Sequence, residues 1–383
     1  MDERILISGA SIAGLTLAHW LTRYGFRPTV VERASGPRAG GNGVDVRDLA
    51  VDVAERMGIW PAVQAVAADV HGMKFVDSRG RTTARVDVRT PGAAEIMRGD
   101  LVALLKENAD VEYRFGDSIH DLQQDENGVT VSFGNAAPHR FDLVIGADGL
   151  HSDVRRLAFG PAERFLRFKD HYFAFADADP ELGENRWVTM HNTPGRMAGV
   201  YRSGNHAQAK AYFMFRSPSL AYDHRDTGRH RQLLRDAFGD DTSWCVPELL
   251  ASALDDPGLY FDALSQVHMP TWSAGRVALV GDAAWCASPA SGAGAELALV
   301  GAHRLATALA AHRDDHTTAF RRYHAEHHPL VQKKQQIGLN VRLMVPKTAA
   351  GRRARDTIAR LPLIRAASAA ERLLQQGTRP LRG

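Results

Sequence analysis

The chain has 383 residues, 44% of them hydrophobic and 24% charged, which is ordinary for a globular protein with room for two domains or for one domain with a second embedded in it. A net charge of +3 without interleaved basic and aromatic residues speaks against nucleic-acid binding. With two cysteines, no signal-peptide pattern and no apolar run of about 18 residues, the sequence predicts a reduced, cytoplasmic protein without a membrane span.

The first thirty residues predict a strand, a turn, a helix and a second strand. Residues 4–8 form an apolar run that leads into a turn beginning at Gly9, and residues 28–32 have the composition of a buried strand. A helix-like segment lies between them. The turn before that helix consists of Gly9, Ala10, Ser11, Ile12, Ala13 and Gly14. This is the context that a dinucleotide-binding fingerprint requires.

Each residue type in this turn has a physical role in holding a pyrophosphate. Gly9 permits the tight turn, Gly14 lets the helix pack close to the strand, and the helix N-terminus offers unpaired N–H groups. Ser11 replaces the usual middle glycine, and its small side chain still fits. Glu32 can accept hydrogen bonds from a ribose diol and disfavours a 2′-phosphate, so FAD or NAD is favoured over NADP as the tightly held nucleotide.

A second strand-and-turn signature lies in the middle of the chain. Residues 141–147 read as a buried strand that ends in Asp148 and Gly149, and Ser152 and Arg155 follow. Taken alone, this segment is an Asp-Gly turn in which Ser152 caps a helix. Beside the first motif, it indicates a second contact to the same nucleotide.

The late segment is the most specific. A strand over 277–280 delivers Gly281 and Asp282 at its end, and a small-residue loop then leads into a helix. Asp282 can accept hydrogen bonds from a ribityl chain, and the helix N-terminus can stabilise negative charge on a reduced flavin. The loop residues assigned to the cofactor are Pro289, Gly292, Ala293 and Gly294.

Together the three motifs resemble those of the flavoprotein aromatic hydroxylases, the monooxygenase group of para-hydroxybenzoate hydroxylase and the TetX enzymes. The second family motif matches at Asp148, Gly149, Ser152, Val154 and Arg155. The third matches at Gly281, Asp282, Ala283, Ala284, Pro289, Gly292 and Gly294. Trp285 departs from a frequent histidine, and Ala290 departs from a frequent second proline.

The resemblance implies an α/β fold: a Rossmann-like FAD-binding domain of the glutathione-reductase type, an embedded mixed β-sheet substrate domain and a C-terminal helix. The FAD-binding domain is assigned to 1–70, 98–165 and 270–330, the substrate domain to 71–97 and 166–269, and the helical tail to 331–383.

The resemblance also implies the activity. Bound FAD, reduced by transient NADH or NADPH, captures O2 as a flavin hydroperoxide and hydroxylates a small aromatic or polyketide-like molecule. A Baeyer–Villiger-type oxygenase or a reductase of the same fold stays open, as does a plain NAD-dependent dehydrogenase. The oligomeric state, monomer or homodimer, is also open. No catalytic side chain is assigned.

Several further residues are candidates by the same resemblance. Arg98 matches a position that contacts FAD, and Arg33, Arg38 and Arg47 are candidates for the adenine side or the flavin edge. Aromatic-rich strands between 171 and 215 are expected to form one wall of the substrate pocket. The residues proposed for that wall are Met190, Tyr201, Phe213 and Phe215.

Two features of the C-terminal third favour a structural interpretation. His324, His327 and His328 have helical spacing but lack a zincin order, so we expect a solvated helix face and no metal. Residues 341–383 contain ten Lys and Arg against two Asp and Glu. The apolar stripe among these charges predicts a docked helix, with Leu361, Ile364, Ala367, Leu373 and Leu374 toward the body.

Overall fold

The computed structural model describes residues 3–36, 41–87 and 91–360. The chain divides into two compact units. The first consists of Met1–Ala67, Ala94–Arg167 and Ser265–Gln336, and the second of Ala68–Ala93, Phe168–Leu264 and Ile337–Gly383. Arg38 and the proposed apolar stripe after residue 360 lie outside the described residues.

The strands in chain order are β1 Arg4–Ser8, β2 Arg27–Glu32, β3 Gly43–Val46, β4 Gly72–Val76, β5 Thr82–Asp87, β6 Ala94–Met97, β7 Glu112–Phe115, β8 Ile119–Asp125, β9 Gly128–Phe133, β10 His139–Phe141, β11 Leu143–Gly146, β12 Leu166–Ala178, β13 Trp187–Thr193, β14 Arg196–Tyr201, β15 Ala209–Arg216, β16 Tyr260–Val267, β17 Ser273–Ala274 and β18 Val277–Leu279.

The α-helices are α1 Ile12–Arg23, α2 Leu49–Arg56, α3 Trp60–Ala65, α4 Arg98–Glu107, α5 Asp153–Phe159, α6 Thr227–Phe238, α7 Val246–Asp255, α8 Asp282–Trp285, α9 Gly294–Ala311, α10 His316–Lys334, α11 Gly338–Met344 and α12 Ala349–Arg360. Short 3₁₀ turns cover Ala162–Arg164 and Pro289–Ser291.

The first unit is built on a six-stranded sheet in the order β17-β18-β11-β1-β2-β7. β1 runs parallel to β2 and β11, and β11 runs parallel to β18. Ser8 pairs with Val31 on one side and with Gly146 on the other, so the carboxyl ends of these strands align. Polar residues that follow the strands therefore meet at one edge, where ligands bind in open parallel sheets.

Burial explains why these segments become parallel strands. The apolar residues of β1 and β11 are fully buried, and parallel strands covered on both faces are nearly continuous apolar runs. α1 and α9 pack against each other, with alanine, glycine and leucine along their buried faces.

The second unit is built on a seven-stranded mixed sheet in the order β16-β12-β15-β14-β13-β4-β5. β13 and β4 are parallel, whereas β14 and β15 are antiparallel. Helices α6 and α7 contribute to the hydrophobic core on one face of this sheet, where the ring of Phe238 lies 5.0 Å from that of Phe213. The predicted fold class is confirmed, including the embedded mixed sheet and a C-terminal helix.

α12 belongs to the second unit, and its buried Arg355 contacts residues of β4 and β13. The guanidinium carbon of Arg355 lies 3.8 Å from the ring centroid of Phe75, and its Nη1 donates to Asn192 Oδ1 at 2.6 Å. Arg353 of the same helix is exposed, whereas Arg352 is half-buried and its Nη1 donates to the carbonyl of Asn192 at 2.7 Å. None of the helices in the described part of the chain is long and apolar enough to cross a membrane.

Candidate cofactor site

The turn between β1 and α1 makes backbone-to-backbone contacts that exclude side chains. Gly9 has a φ of +110°, and a Cβ there would lie 2.5 Å from the carbonyl oxygen of Ala147. A Cβ on Gly14 would lie 2.0 Å from the carbonyl oxygen of Gly9. Both glycines are therefore required sterically, and the N-terminus of α1 stays close to the ends of β1 and β11.

The guanidinium of Arg98 lies beside the start of α1. Ser11 is the N-cap residue, but its hydroxyl caps no backbone N–H of the helix. The hydroxyl oxygen instead accepts a hydrogen bond from Arg98 Nη2 at 2.8 Å. A guanidinium beside the free N–H groups of a helix N-terminus favours an anionic ligand such as a pyrophosphate.

Glu32 is fixed at the end of β2 by backbone donors. Its Oε2 accepts from the Ala10 N–H at 2.9 Å, and its Oε1 accepts from the Ala34 N–H at 2.9 Å. Each carboxylate oxygen has a second lone pair that can accept a hydrogen bond from a ribose hydroxyl. Arg33, the next residue, has an exposed side chain.

Asp148 holds the turn of the second motif in place. Its carboxylate accepts from Ser152 Oγ at 2.5 Å and from the Val154 N–H at 3.0 Å. Burial raises the pKa of Asp148, and these two hydrogen bonds act in the opposite direction. The predicted helix cap is also present, since Ser152 Oγ accepts from the Arg155 N–H at 2.9 Å.

Arg155 joins the second motif to the third. Its side chain is 1% exposed, Nη1 donates to the carbonyl of Ala283 at 2.9 Å, and Nη2 donates to the carbonyl of Leu150 at 2.5 Å. The sequence identified Arg155 only as a motif match, because its two acceptors are backbone atoms that carry no sequence signal.

Asp282 faces the same region from the end of β18. Gly281 has a φ of +69°, and a Cβ there would lie 2.8 Å from the Cβ of Ala13 in α1. Solvent reaches the Asp282 side chain, yet protein surrounds it closely enough that desolvation raises its pKa. A hydrogen bond with Cys286 and the positive charge of Arg98 both lower that pKa. The Arg98 that contacts Ser11 therefore also attracts the carboxylate of Asp282.

The small-residue loop before α9 leaves open space at the start of the helix. Gly292 is left-handed, with a φ of +59°, and its carbonyl accepts from Arg47 Nη2 at 3.1 Å. Ala293 is the buried N-cap of α9. A Cβ on Gly294 would meet no atom within 4 Å. Pro289 begins the 3₁₀ turn that shapes the loop. A flat ring could approach the backbone here.

The structure thus brings most of the predicted cofactor residues to one edge of the first-unit sheet. They are Gly9, Ser11, Ile12, Ala13, Gly14, Glu32, Arg98, Asp148, Gly281 and Asp282. Pro289, Gly292, Ala293 and Gly294 lie in the loop before α9 and at the start of that helix, which packs against α1.

Phe213 and Phe215 require a correction as substrate-wall candidates. Both side chains lie in the core that the second-unit sheet forms with α6 and α7, and their rings contact Phe238. Side chains alternate along a strand, so Met190 and Tyr201 occupy the opposite face of the sheet, in register with Gly199 and Lys210. Met190 and Tyr201 therefore remain the substrate candidates.

The expected solvated histidine face is wrong for His327, which has 0% exposure. Its ring lies edge-on to Trp285 with centroids 4.6 Å apart, and its Nδ1 accepts from Arg304 Nη1 at 3.1 Å. Burial lowers the pKa of His327 well below its ordinary value. Within residues 3–36, 41–87 and 91–360, no cluster of His, Cys, Asp or Glu could hold a metal ion.

The polar groups of the site fit the ribose, the pyrophosphate and the ribityl chain of FAD in kind and order. A carboxylate for the adenosine ribose, a cation at a helix N-terminus for the pyrophosphate and a carboxylate for the ribityl chain occur along the same sheet edge. The glycine cradle leaves room for backbone contacts to the ligand.

Comparison with known proteins agrees with this geometry. A family profile described as an FAD binding domain matches residues 2–336. A flavin-dependent monooxygenase of Legionella longbeachae is 37% identical over 342 residues, which cover 88% of each chain. An uncharacterized protein of Mycobacterium tuberculosis is 44% identical over 344 residues, covering 88% of this chain and 92% of the relative. The crystal structure of tetracycline destructase Tet(51) has a TM-score of 0.84 at 33% identity, covering 96% of this chain and 98% of that one.

Fold and site together define a flavin-binding oxidoreductase. The chain belongs to the FAD-dependent monooxygenase family of flavoprotein aromatic hydroxylases, and FAD is its cofactor.

Proposed function

We propose that this monooxygenase uses NADH or NADPH and O2 to hydroxylate a polyketide-like, fused-ring aromatic molecule, with small single-ring aromatics as the second substrate class. The observation that carries the proposal is geometric: Arg98 donates to Ser11 at the N-terminus of α1, and Gly281, directly before Asp282, lies against Ala13 of the same helix. Similarity to Tet(51) over nearly the whole chain supports the polyketide-like class, since that protein is a tetracycline destructase.

The residues of this chain have separate roles in the proposal. Glu32 accepts hydrogen bonds from the adenosine ribose, Arg98 and the N-terminus of α1 bind the pyrophosphate, and Asp282 accepts from the ribityl hydroxyls. The bound flavin supplies the redox and oxygen chemistry. The N–H groups at the start of α9 favour negative charge beside Gly294.

The second-unit sheet supplies the proposed substrate surface. Met190 and Tyr201 lie on its face opposite the α6–α7 core, and the Tyr201 ring lies 6.1 Å from that of Tyr212. Thioether and aromatic groups of this kind suit a flat, largely apolar substrate.

The first experiment is a visible spectrum of the purified protein with identification of the heat-released chromophore, followed by NADH and NADPH oxidation assays. We expect bound FAD and faster NAD(P)H oxidation when tetracycline is added, with a product that gains one oxygen atom. If simple phenols stimulate NAD(P)H oxidation and tetracycline does not, the substrate class is single-ring aromatics.

Product analysis also distinguishes the alternatives. A ring-expanded ester or lactone would indicate Baeyer–Villiger insertion, and a reduced product without oxygen uptake would indicate a reductase. NAD(P)H consumption that appears entirely as hydrogen peroxide, with every substrate tested, would overturn the hydroxylase proposal.

A further inference from the structure

A buried ion pair lies in the first turn of α9, directly after the loop assigned to the flavin. Glu296 is the third residue of the helix, and its side chain is 1% exposed. Its Oε2 lies 2.6 Å from Nζ of Lys334, in the last turn of α10. A carboxylate that is buried in this way is rare unless a cation pairs with it.

Further charges surround the pair. Lys334 Nζ also lies 3.4 Å from Oδ2 of Asp48, the residue that precedes α2. Arg47 lies 3.6 Å from the carboxylate of Asp45 and donates to the carbonyl of Gly292 in the cofactor loop. The cluster of Asp45, Arg47, Asp48, Glu296 and Lys334 thus adjoins the loop and the first turn of α9.

The position of Glu296 conflicts with the role of this helix end. The positive end of the α9 dipole favours negative charge, and reduction of FAD by a hydride places negative charge on the flavin. An unpaired carboxylate at the third position would oppose that charge through a medium that screens poorly. Lys334 supplies the charge that cancels it.

We propose that the Glu296–Lys334 pair sets the reduction potential of the bound flavin, with Lys334 cancelling a carboxylate that would otherwise destabilise the reduced form. The reaction concerned is the transfer of one hydride, which is a proton together with two electrons, from NAD(P)H to FAD. It yields the anionic reduced flavin and NAD(P)⁺. This inference rests on the proposed placement of the flavin ring at the start of α9.

The test is a spectroscopic titration of the holoenzyme against redox dyes, with dithionite or xanthine oxidase as the source of electrons. Lys334→Met is expected to lower the potential, and Glu296→Gln is expected to raise it. The double variant, which is neutral at both positions, returns close to the wild-type value. A pH of about 8.5 is used because a buried glutamate without its cation can stay protonated at neutral pH.

Each single variant is expected to shift the flavin reduction potential by about 30 mV. For a two-electron couple, this shift corresponds to a tenfold change in the ratio of the affinities for reduced and oxidised FAD. Arg322→Met is the matched control. Arg322 is an α10 cation in an exposed ion pair with Glu326, and its removal should leave the potential unchanged.

Opposite shifts in the two single variants are the required result. Equal shifts in one direction would show that both substitutions merely loosen the site, and unchanged potentials would show that the pair does not act on the flavin. Either result overturns the inference. Glu296→Gln is nearly isosteric and keeps an acceptor for Lys334, so it decides the sign if Lys334→Met fails to fold. A wild-type protein that binds no FAD would instead overturn the proposed function.

Discussion

At the scale of single residues, the site depends on atoms that meet across long stretches of sequence. Arg155 and Ala283 are 128 residues apart, yet one hydrogen bond joins the second and third motifs through them. Gly14 and Gly294 differ in their surroundings: a Cβ would collide with backbone at Gly14 and would meet open space at Gly294. These differences lead to two predictions.

Replacing Arg155 with Met should destabilise the protein by about 2–4 kcal/mol, since two buried carbonyls would lose a charged donor. Denaturant unfolding of the apoprotein measures the change. Arg156→Met is the control: the neighbouring arginine makes an exposed i,i+3 ion pair with Asp153, at 3.1 Å, and its loss should cost less than about 0.5 kcal/mol. Equal losses in both variants would contradict the bridging role of Arg155.

Alanine at Gly294 and at Gly14 should separate cofactor binding from stability. Gly294→Ala should leave the melting temperature of the apoprotein unchanged or slightly raised, while FAD affinity falls, because its methyl group enters space proposed for the flavin. Gly14→Ala should lower both, since its Cβ overlaps the Gly9 carbonyl. Fluorescence titration with FAD and thermal melts test the pair. Unchanged FAD affinity in Gly294→Ala would place the ring elsewhere.

At the scale of elements, the two faces of one sheet have different tasks. β15 alternates between Ala209, Ala211, Phe213 and Phe215 in the α6–α7 core and Lys210, Tyr212 and Met214 on the other face. The sequence of this strand does not show which of its residues face the core, because both faces carry large apolar side chains. Register with the neighbouring strands decides which residues share a face.

A core residue and a candidate substrate residue should therefore respond differently to substitution. Phe213→Ala should cost about 3–5 kcal/mol of stability by opening a cavity beside Phe238. Met190→Leu conserves volume, should cost less than about 1.5 kcal/mol, and should change the substrate KM. Urea unfolding and steady-state kinetics give the two readouts. A substrate KM that stays at the wild-type value in several Met190 variants would remove Met190 from the substrate surface.

At the scale of the whole molecule, the chain alternates between its two units and neither is one continuous segment. The stability of the first unit depends in part on buried neutral histidines. His303 contacts Trp20 with ring centroids 4.5 Å apart, and burial lowers the pKa of His303 to about 4. The pKa of His327 is lowered as well.

Acid should therefore destabilise the protein before its carboxylates titrate. The unfolded chain binds protons to these histidines below a pH of about 6.5 and the folded chain does not, so stability falls as the pH falls from about 6.5 toward 4. His303→Leu should reduce the loss of unfolding free energy between pH 7 and 5.5 by about 1 kcal/mol. Denaturant unfolding at both pH values measures it. An identical loss in the variant would mean that His303 is protonated in the folded state.

The sequence by itself determined the three motifs, because each is a local strand–turn–helix arrangement in which glycine and a following carboxylate have fixed roles. Gly9, Gly14, Glu32 and Asp282 could be found in this way. The resemblance of these motifs to a known family then implied the fold class and the FAD cofactor. Only the tertiary structure decided that Phe213 faces a helical core, that His327 is buried, that Arg155 bridges two motifs and that Lys334 pairs with Glu296. The physical reason is the same in each case: burial, register and charge pairing depend on which distant segments come together. The sequence of one segment does not specify which other segments pack against it.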